Sequence, residues 1–264
     1  MISVLVTGSS GQLGRSIQDL APSLPEIRFV FKTSSELDIT DYRQVKEAFA
    51  DQGFDYCINC AAFTDVERAE REPQLAFKVN SEGVKNLAET CLLSHTVLIH
   101  VSTDYVFDGT KRTPYLVTDK TNPINVYGAS KLKGEEYIKG LLTRYFIIRT
   151  SWLYSEYGKN FYKTIVAKVQ EGEDLSVTDA QTGCPTHARH LAQFITKIIS
   201  TDSRAYGIHH FTDGEVHTWY SFAVKIVKEN RLDERVEIKK VKNYSTFAKR
   251  PEYSVLKNTT LQPE

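Results

Sequence analysis

The stretch VTGSSGQLGRSI, residues 6–17, decides the fold, because it joins an apolar run at the start of the chain to a helical pattern. It places Gly8, Gly11 and Gly14 at G-x-x-G-x-x-G spacing. Gly8 permits a tight turn, Gly11 lets a pyrophosphate approach the backbone, and Gly14 lets the helix pack against the strand. The helix N-terminus then offers N–H groups to phosphates. We predict a dinucleotide site here; the alternative is a glycine-rich turn without a ligand.

The following residues alternate short apolar runs with longer amphipathic segments. The predicted strands are residues 3–8, 27–32, 54–62, 96–102 and 144–152. The predicted helices are residues 12–21, 41–53, 73–93 and 130–142. Alternation of this kind predicts right-handed βαβ units, and therefore a Rossmann-type α/β fold, a doubly wound parallel sheet with helices on both faces.

The pattern loosens after Trp152. Helices are predicted near residues 159–171, 187–199 and 217–230, and short strands at 174–178, 207–212 and 236–241. We therefore expect two parts. Residues 1–150 form the dinucleotide-binding Rossmann domain, and residues 151–264 form a smaller C-terminal α/β lobe that binds the substrate and is interleaved with the first part.

Composition argues against several classes of partner. The chain has 264 residues, with 33 Lys and Arg against 33 Asp and Glu, so its formal charge is zero. Bulk charge therefore does not favour a nucleic-acid or membrane-surface partner. No apolar stretch reaches the roughly 18 residues of a membrane span, and the N-terminus lacks the features of a signal peptide. We expect a cytoplasmic protein without nucleic-acid or membrane partners.

The cysteines and histidines do not predict a metal site. Four cysteines are too few and too scattered for a secreted disulfide scaffold. Cys57 and Cys60 form a C-x-x-C within a predicted strand, where residues i and i+3 point to opposite faces, so one metal cannot take both side chains. His187 and His190 lack a partnering Cys or His pair. We expect core cysteines and no bound metal.

The end of the second predicted strand indicates which dinucleotide binds. An acidic residue there suits a ribose 2′-hydroxyl, and a basic one suits a 2′-phosphate. Here Lys32 comes first and no acid follows until Glu36, so NADP(H) is preferred, with NAD(H) as the alternative. The predicted cofactor-binding set is Gly8, Ser10, Gly11, Gln12, Leu13, Gly14, Lys32, Asp38, Ile39, Ala61, Ala62, Phe63, Tyr127 and Lys131, with Asp38 and Ile39 beside the adenine and Ala61 and Ala62 beside a ribose.

The segment NVYGASKLKGEE supplies candidate reacting groups, Tyr127 and Lys131. At i and i+4 on a helix they share one face. A tyrosine that moves protons needs a nearby cation to favour its phenolate, because its ordinary pKa is about 10. Lys131 can supply that charge and also bind cofactor ribose hydroxyls. The alternative is a surface helix with an ion pair between Lys131 and Glu135.

Polar residues follow the apolar run of residues 97–99 in HVSTDYVFDG, residues 100–109. Ser102, Thr103 and Asp104 stand at a predicted strand end, where an open α/β sheet meets its ligand crevice. The alternative is a strand stop in which Asp104 and Asp108 are turn residues.

Together these features resemble the extended short-chain dehydrogenase/reductases, and within them the dTDP-4-dehydrorhamnose reductase family. The glycine loop and Tyr-x-x-x-Lys are shared by many relatives. More specific stretches are STDYVFDG, RTSWLY and QTGCPT; matching segments run almost from end to end. The resemblance implies an NADPH-dependent oxidoreductase that reduces the C4 keto group of a dTDP-sugar, dTDP-4-dehydro-L-rhamnose, for cell-surface polysaccharide.

The resemblance also implies roles for individual residues. Tyr127, Lys131 and Thr103 form the catalytic set, in which Tyr127 donates a proton and Thr103 hydrogen-bonds the C4 oxygen. Thr103, Asp104 and Trp152 bind the substrate. Related dehydratases carry Thr-Asp-Glu where this chain has Thr103-Asp104-Tyr105, so the base for elimination is absent and reduction is favoured.

Two further readings stay open, a reductase that makes another dTDP-6-deoxysugar such as 6-deoxy-L-talose, and a non-catalytic regulatory subunit of the same fold. Some relatives bridge a dimer through Mg²⁺ held by glutamates. Arg15 and Arg189 occupy two of those positions here, so we expect a monomer or a weak homodimer without a metal bridge.

Overall fold

Parallel strands rich in Val, Ile and Leu lie at the centre of the molecule. The structure, a computed structural model, describes residues 1–50, 52–232, 236–242 and 246–261. The strands in these residues are β1 (Ile2–Thr7), β2 (Ile27–Lys32), β3 (Tyr56–Asn59), β4 (Val97–Thr103), β5 (Tyr145–Thr150), β6 (Leu153–Tyr154), β7 (Leu175–Thr178), β8 (Thr182–Gly183), β9 (Thr186–His187), β10 (Gly207–His210), β11 (His217–Thr218) and β12 (Ile238–Val241). The helices are α1 (Gln12–Leu20), α2 (Tyr42–Ala50), α3 (Val66–Arg71), α4 (Pro73–Phe77), α5 (Gly83–Leu93), α6 (Val126–Leu141), α7 (Phe161–Gln170), α8 (Ala188–Ser200) and α9 (Trp219–Glu229).

Six strands form one sheet in the order β10-β5-β4-β3-β1-β2, and every pair is parallel. Alternation along β1 explains why helices cover both faces. Val4 and Val6 join the apolar cluster that α1 and α8 complete, whereas Leu5 joins the cluster completed by α2, α5 and α6. The predicted doubly wound parallel sheet is confirmed.

Several elements differ from the sequence-based expectation. The strand predicted over 54–62 forms only as β3, and the helix predicted over 73–93 is interrupted by a π-helical turn, Lys78–Glu82, between α4 and α5. The helix predicted over 41–53 forms as α2, and residue 51 lies outside the described residues. The short elements α3, β6, β8, β9 and β11 were not predicted, because such short segments show no clear periodicity.

A smaller layer follows β5. Here α7 and α9 pack on the parallel pair β7–β12 around a cluster that includes Ile165, Val169, Phe222 and Ile226. Two elements from the same half of the chain return to the central layers, since β10 pairs with β5 and α8 packs on α1. The division of the chain at residue 150 stays a prediction.

The carboxyl ends of the six parallel strands meet at one edge of the sheet. The register pairs Thr7 with both Lys32 and Asn59, and it pairs Thr103 with Thr150. Ligands of open α/β sheets bind outside this edge. The strand-end residues singled out in the sequence are therefore placed where a ligand is expected.

Metal and membrane features were searched over the described ranges. They contain no helix that is long and apolar enough to cross a bilayer. They also contain no group of three or more His, Cys, Asp or Glu placed to hold a metal ion. Cys57 packs with the α5 side of the sheet and Cys60 with the α1 side, so the two thiols lie on opposite faces as predicted.

Candidate active site

A cleft of about 890 Å³ lies between the carboxyl edge of the central sheet and the smaller layer. The glycine loop, the ends of β4 and β5, and the start of α6 form one side, and α7, β7 and α9 contribute to the other. Thr103, Tyr127 and Lys131 all line it. The volume is in the range of small-molecule sites.

The glycine loop fits the phosphates of a dinucleotide. Gly8 has a φ of +61°, and a Cβ there would lie 2.6 Å from the Ala61 nitrogen. A Cβ on Gly14 would lie 2.5 Å from the Ser9 Cα, so this position also requires glycine. Gly11 precedes α1 and provides no side-chain cap for the helix. The first turn of α1 carries no acidic residue. Its first N–H groups are thus available to phosphate oxygens.

The structure brings part of the predicted cofactor set together. The members that line the cleft are Gly8, Gly11, Gln12, Leu13, Gly14, Ala62, Tyr127 and Lys131. The members outside its lining are Ser10, Lys32, Asp38, Ile39, Ala61 and Phe63. Ile39 is buried in the core beside α5 and Asp38 is exposed. The roles assigned to both groups stay predictions.

The sequence did not indicate that the Glu36 side chain lies beside the end of β2. Its Oε2 accepts hydrogen bonds from Thr33 N at 2.8 Å and from Thr33 Oγ1 at 2.7 Å. These bonds, with a contribution from Lys32, lower the pKa of Glu36. The turn after β2 therefore brings the Glu36 carboxylate back to the strand end, where Lys32 contributes to lowering its pKa.

The end of β4 leads into a turn and also lines the cleft. Thr103 Oγ1 accepts from Tyr105 N at 3.2 Å and donates to Asp104 Oδ1 at 3.1 Å, which caps the 3₁₀ turn Asp104–Val106. Asp104 is 2% exposed, and its Oδ2 has no hydrogen-bond partner within the described residues. Burial raises the pKa of Asp104 to about 7, although the hydroxyls of Ser254 and Thr103 lower it in part.

Tyr127 is held at the start of α6. The helix is capped by Asn125, whose Oδ1 accepts from Gly128 N at 2.7 Å. A Cβ on Gly128 would lie 2.1 Å from the carbonyl oxygen of Tyr105, so only glycine lets α6 approach the turn after β4. Burial raises the pKa of Tyr127 to about 12, and the Thr103 hydroxyl offsets only part of this. The pKa of Tyr127 is therefore raised, not lowered as the spacing to Lys131 predicted, because burial and the neighbouring Asp104 both disfavour the phenolate.

Lys131 lies one turn further along α6 and is 2% exposed. Its Nζ donates to the Val101 carbonyl oxygen at 2.7 Å and lies 3.2 Å from His100 Nε2. Burial lowers the pKa of Lys131 to about 8, against the opposing effects of Glu135 and Cys60. Lys131 therefore keeps its positive charge less firmly than an ordinary lysine does.

A buried polar chain continues from Lys131 across three strands. Asn59 Nδ2 lies 3.0 Å from His100 Nδ1, and Asn59 Oδ1 accepts from Thr7 Oγ1 at 2.7 Å and from Ala61 N at 3.1 Å. Thr7 and His100 are 0% exposed and Asn59 is 1% exposed. Polar groups this deeply buried persist when they are paired with one another. The chain links the first strand to the candidate catalytic lysine.

Asn80 holds the loop after β3 against α6. It lies in the π-helical turn, where Asn80 Oδ1 accepts from Phe63 N at 2.8 Å and Nδ2 donates to Phe63 O at 2.9 Å and Ser130 Oγ at 3.0 Å. π-helical turns inside α-helices are frequent at functional sites. Here the turn directs Asn80 toward the helix that carries Tyr127 and Lys131.

The far end of the cleft is aromatic. Trp152 has a φ of +48°, an uncommon conformation for a bulky residue, and its ring stacks on Trp219 with centroids 3.5 Å apart and planes 4° apart. Gly183 makes room for Trp152, because a Cβ there would lie 2.7 Å from the indole. Trp219 was not singled out in the sequence.

Gln12 connects the glycine loop to the segment after β6. Its Oε1 accepts from Ser155 Oγ at 3.0 Å and from Asn160 Nδ2 at 2.9 Å. Asn160 also caps α7, where its Oδ1 accepts from Lys163 N at 3.0 Å. The side chain predicted to meet the cofactor therefore also links the two layers that enclose the cleft.

Comparison with known proteins identifies the family. The profile described as RmlD substrate binding domain matches residues 2–264. The chain belongs to this family. The RmlD assignment confirms the resemblance drawn from the sequence motifs, and it extends over the central sheet, the cleft and the smaller layer.

The proteins to which this chain is similar include several reductases. A dTDP-4-dehydrorhamnose reductase of Aggregatibacter actinomycetemcomitans is 39% identical over 272 residues, covering 99% of this chain and 92% of that protein. A dTDP-4-keto-6-deoxy-D-glucose reductase of Streptomyces niveus is 40% identical over 220 residues, covering 83% of this chain and 75% of that one. The crystal structure of a Bacillus anthracis dTDP-4-dehydrorhamnose reductase in complex with NADP superposes with a TM-score of 0.93 and 37% identity, covering 98% and 92% of the two chains.

Proposed function

We propose that this RmlD-family protein reduces the C4 keto group of dTDP-4-dehydro-L-rhamnose with NADPH and forms dTDP-L-rhamnose, the last step of dTDP-L-rhamnose synthesis. The observation that carries the proposal is the convergence of Thr103, Tyr127 and Lys131 on the cleft that the glycine loop also lines. Similarity to reductases of this name over nearly the whole chain supports the substrate.

Tyr127 is the proton donor in the proposed reaction. Its pKa of about 12 keeps the phenol protonated at neutral pH, which is the form needed to deliver a proton to the sugar oxygen. Thr103 is the second donor to that oxygen, since its hydroxyl lines the cleft and can rotate away from Asp104. When bound, NADPH supplies the hydride. The residues thus share the task of stabilising negative charge as it develops on the C4 oxygen.

The remaining assignments concern binding. The first-turn N–H groups of α1 would hold the cofactor phosphates. Lys131 would bind the ribose hydroxyls of the cofactor, and Lys32 would bind its 2′-phosphate. The complex of the Bacillus anthracis relative with NADP supports the choice of dinucleotide. Asp104 would hold sugar hydroxyls, and Trp152 would pack on the sugar or the nucleotide.

Reduction without loss of water follows from Tyr105. Related dehydratases place an acidic residue at this position, and this chain has a tyrosine whose pKa is raised by burial. A buried phenol of raised pKa does not abstract a carbon-bound proton near neutral pH. The acidic residue that the dehydratases carry at this position is therefore replaced by a group that does not act as a base.

A second candidate is a reductase that makes another dTDP-6-deoxysugar. The similarity to a Streptomyces niveus dTDP-4-keto-6-deoxy-D-glucose reductase favours it over a non-catalytic subunit. A reductase of this second kind differs from the proposed one either in the sugar it accepts or in the face of the sugar that meets the nicotinamide.

The test is turnover of dTDP-4-dehydro-L-rhamnose with NADPH, followed by NMR of the product. The proposal predicts substrate-dependent loss of NADPH absorbance and the L-rhamnose configuration at C4. The opposite C4 configuration indicates the 6-deoxy-L-talose product. NADPH loss only with dTDP-4-keto-6-deoxy-D-glucose indicates a reductase for that sugar, and no NADPH loss with either sugar indicates a binding subunit. A cytoplasmic location, a role in cell-surface polysaccharide and a monomeric or weakly dimeric state stay predictions.

A further inference from the structure

The hydroxyl of Thr150, at the end of β5, is buried and belongs to the wall of the cleft. Thr150 is 6% exposed and lines the cleft of the candidate active site. Within residues 1–50, 52–232, 236–242 and 246–261, its Oγ1 has no hydrogen-bond partner. Buried side-chain oxygens are rarely left unpaired, because burial without a hydrogen bond is unfavourable. This hydroxyl therefore indicates a ligand group in the cleft as its partner.

The register of β4 and β5 shows which way Thr150 faces. Ser102 of β4 pairs with Arg149 of β5, and both side chains bind the Glu135 carboxylate on α6. The next pair in the register is Thr103 and Thr150. Because side chains alternate along a strand, these two threonines share the other face of the two strands. Thr150 thus lies directly beside the residue proposed to bind the C4 oxygen.

The spacing of the two strands indicates which ligand group Thr150 reaches. Neighbouring strands are about 4.8 Å apart, so two threonines in register reach two adjacent polar atoms of a ligand. In a 4-keto-6-deoxy sugar, C3 carries a hydroxyl, whereas C5 carries a methyl group and the ring oxygen. The C3 hydroxyl is therefore the hydroxyl next to the oxygen that Thr103 binds.

We infer that Thr150 Oγ1 hydrogen-bonds the C3 hydroxyl of the sugar while Thr103 binds the oxygen on C4. A threonine hydroxyl can donate and accept, which suits a hydroxyl partner. Thr150 is on this account a specificity-determining residue that selects a sugar with a hydroxyl at C3. This role rests on the proposed function, because it takes the position of the sugar from the role of Thr103.

A second unpaired oxygen lies at the same edge of the sheet. Asp104 follows Thr103 in the chain, and its buried Oδ2 is likewise without a hydrogen-bond partner in the part of the chain that the structure describes. A carboxylate only accepts hydrogen bonds, whereas the Thr150 hydroxyl can also donate. Sugar hydroxyls can donate to Asp104 and accept from Thr150. The two unpaired oxygens on either side of Thr103 therefore suit a polyhydroxylated ligand.

The test is isothermal titration calorimetry of the full chain saturated with NADP⁺. The ligands are dTDP-L-rhamnose, dTDP, and a dTDP-L-rhamnose analogue with hydrogen in place of the C3 hydroxyl. Thr150→Val should weaken binding of dTDP-L-rhamnose about 3–10-fold and leave binding of dTDP unchanged. The analogue should bind wild type and Thr150→Val equally, because the bond is missing in both. Thr150→Ser keeps the hydroxyl, and its affinity for dTDP-L-rhamnose should stay near that of wild type.

Thr96→Val is the matched control. Thr96 is 3% exposed beside the amino end of β4, and its Oγ1 donates to Phe54 O at 2.7 Å. Its replacement should lower the melting temperature and leave the affinity for dTDP-L-rhamnose unchanged. Thr150→Val should not lower the melting temperature, because the hydroxyl that it removes has no partner among the described residues. If Thr150→Val does not fold, Thr150→Ala takes its place in the titrations.

Equal affinity of wild type and the Thr150 variant for dTDP-L-rhamnose would overturn the inference. An equal loss of affinity for dTDP would also overturn it, since dTDP has no sugar at this position. The nicotinamide carboxamide also has a donor and an acceptor. A variant that weakens NADP⁺ but neither 2′-phospho-ADP-ribose nor dTDP-L-rhamnose would assign Thr150 to the carboxamide instead. The proposed function fails separately, through the absence of NADPH oxidation, because these affinities need no turnover.

Discussion

Glu135 and Arg149 form a two-pronged salt bridge inside the protein, one helical turn after Lys131. Arg149 Nε donates to Glu135 Oε1 at 2.9 Å and Nη2 donates to Oε2 at 2.6 Å, with side-chain exposures of 0% for Glu135 and 2% for Arg149. Ser102 Oγ donates to the same carboxylate at 2.6 Å. The pair therefore ties α6, which carries both candidate proton-transfer groups, to the ends of β4 and β5.

Removing one charge of this pair should destabilise the fold. Glu135→Gln leaves the Arg149 guanidinium buried without its counter-ion, and we expect a loss of about 3–5 kcal/mol in the free energy of unfolding. The matched control is Glu47→Gln in the exposed pair with Arg43, where we expect a change of about 0–1 kcal/mol. Urea unfolding measures both. Equal losses in the two variants would show that the buried pair has no special role in anchoring α6.

Tyr127→Phe tests the proton donor. The ring and its contact with Tyr105 are kept, so cofactor affinity should be unchanged, while kcat should fall about 10²–10⁴-fold. Steady-state kinetics and a cofactor titration by fluorescence check the two halves of the prediction. Turnover within about threefold of wild type would remove Tyr127 from the mechanism.

Thr103 and Asp104 should affect different kinetic constants. Thr103→Val removes a donor to the C4 oxygen, and because that bond strengthens as charge develops, kcat should fall about 10–10³-fold. Asp104→Asn should act mainly on KM, since its contacts to sugar hydroxyls are the same in ground and transition states. Kinetics and melting temperature for both variants are needed. A stable Thr103→Val enzyme with wild-type kcat would leave Thr103 with only its turn-capping role.

Asp104 should also make stability depend on pH. Its folded-state pKa of about 7 lies above the value for an unfolded chain, so the native state binds the proton more tightly. The associated stability is complete below about pH 4 and is lost as the pH rises through about 7. Asp104→Asn removes this loss. As the pH rises from about 4 to about 7, the melting temperature of Asp104→Asn should increase relative to that of wild type. A difference in melting temperature that does not change with pH would contradict the assignment.

Lys32 should set the choice of dinucleotide. Wild type should prefer NADPH to NADH, and Lys32→Asp should weaken or reverse that preference, because a carboxylate repels a 2′-phosphate and accepts from a 2′-hydroxyl. The charge-matched control is Lys46→Asp on the exposed face of α2. The measurement is the dissociation constant of each protein for NADPH and for NADH. If wild type binds the two dinucleotides equally well and neither variant changes this, the end of β2 does not contact this part of the cofactor.

The sequence predicted the central sheet because its signals are local. Each strand is an apolar run, the glycine loop has fixed spacing, and Tyr127 and Lys131 are separated by one helical turn. The strand ends of a parallel sheet meet at one edge whatever the connections between them. These facts place Thr103, Tyr127 and the glycine loop at the same edge of the sheet, and the family resemblance added the role of Thr103 in the catalytic set.

The supporting residues could not be predicted in the same way. Asn59, Asn80 and Trp219 act through partners that are distant in the chain, and no spacing rule connects a π-helical turn at Asn80 to Ser130. The spacing alone suggests Glu135 as a surface partner of Lys131, but Glu135 is buried and pairs with Arg149 in the next strand. His100 offered one signal, a polar residue within the apolar run of β4, which indicates a paired buried group.

The most direct test of the central claim follows the hydride. NADPH that carries deuterium at both hydrogen positions of nicotinamide C4 is incubated with dTDP-4-dehydro-L-rhamnose, and the product sugar is examined by NMR and mass spectrometry. We expect one deuterium at C4 of dTDP-L-rhamnose and stoichiometric oxidation of NADPH, both abolished or strongly slowed in Tyr127→Phe. A product without deuterium at C4, or no oxidation of NADPH in the presence of the sugar, would contradict it.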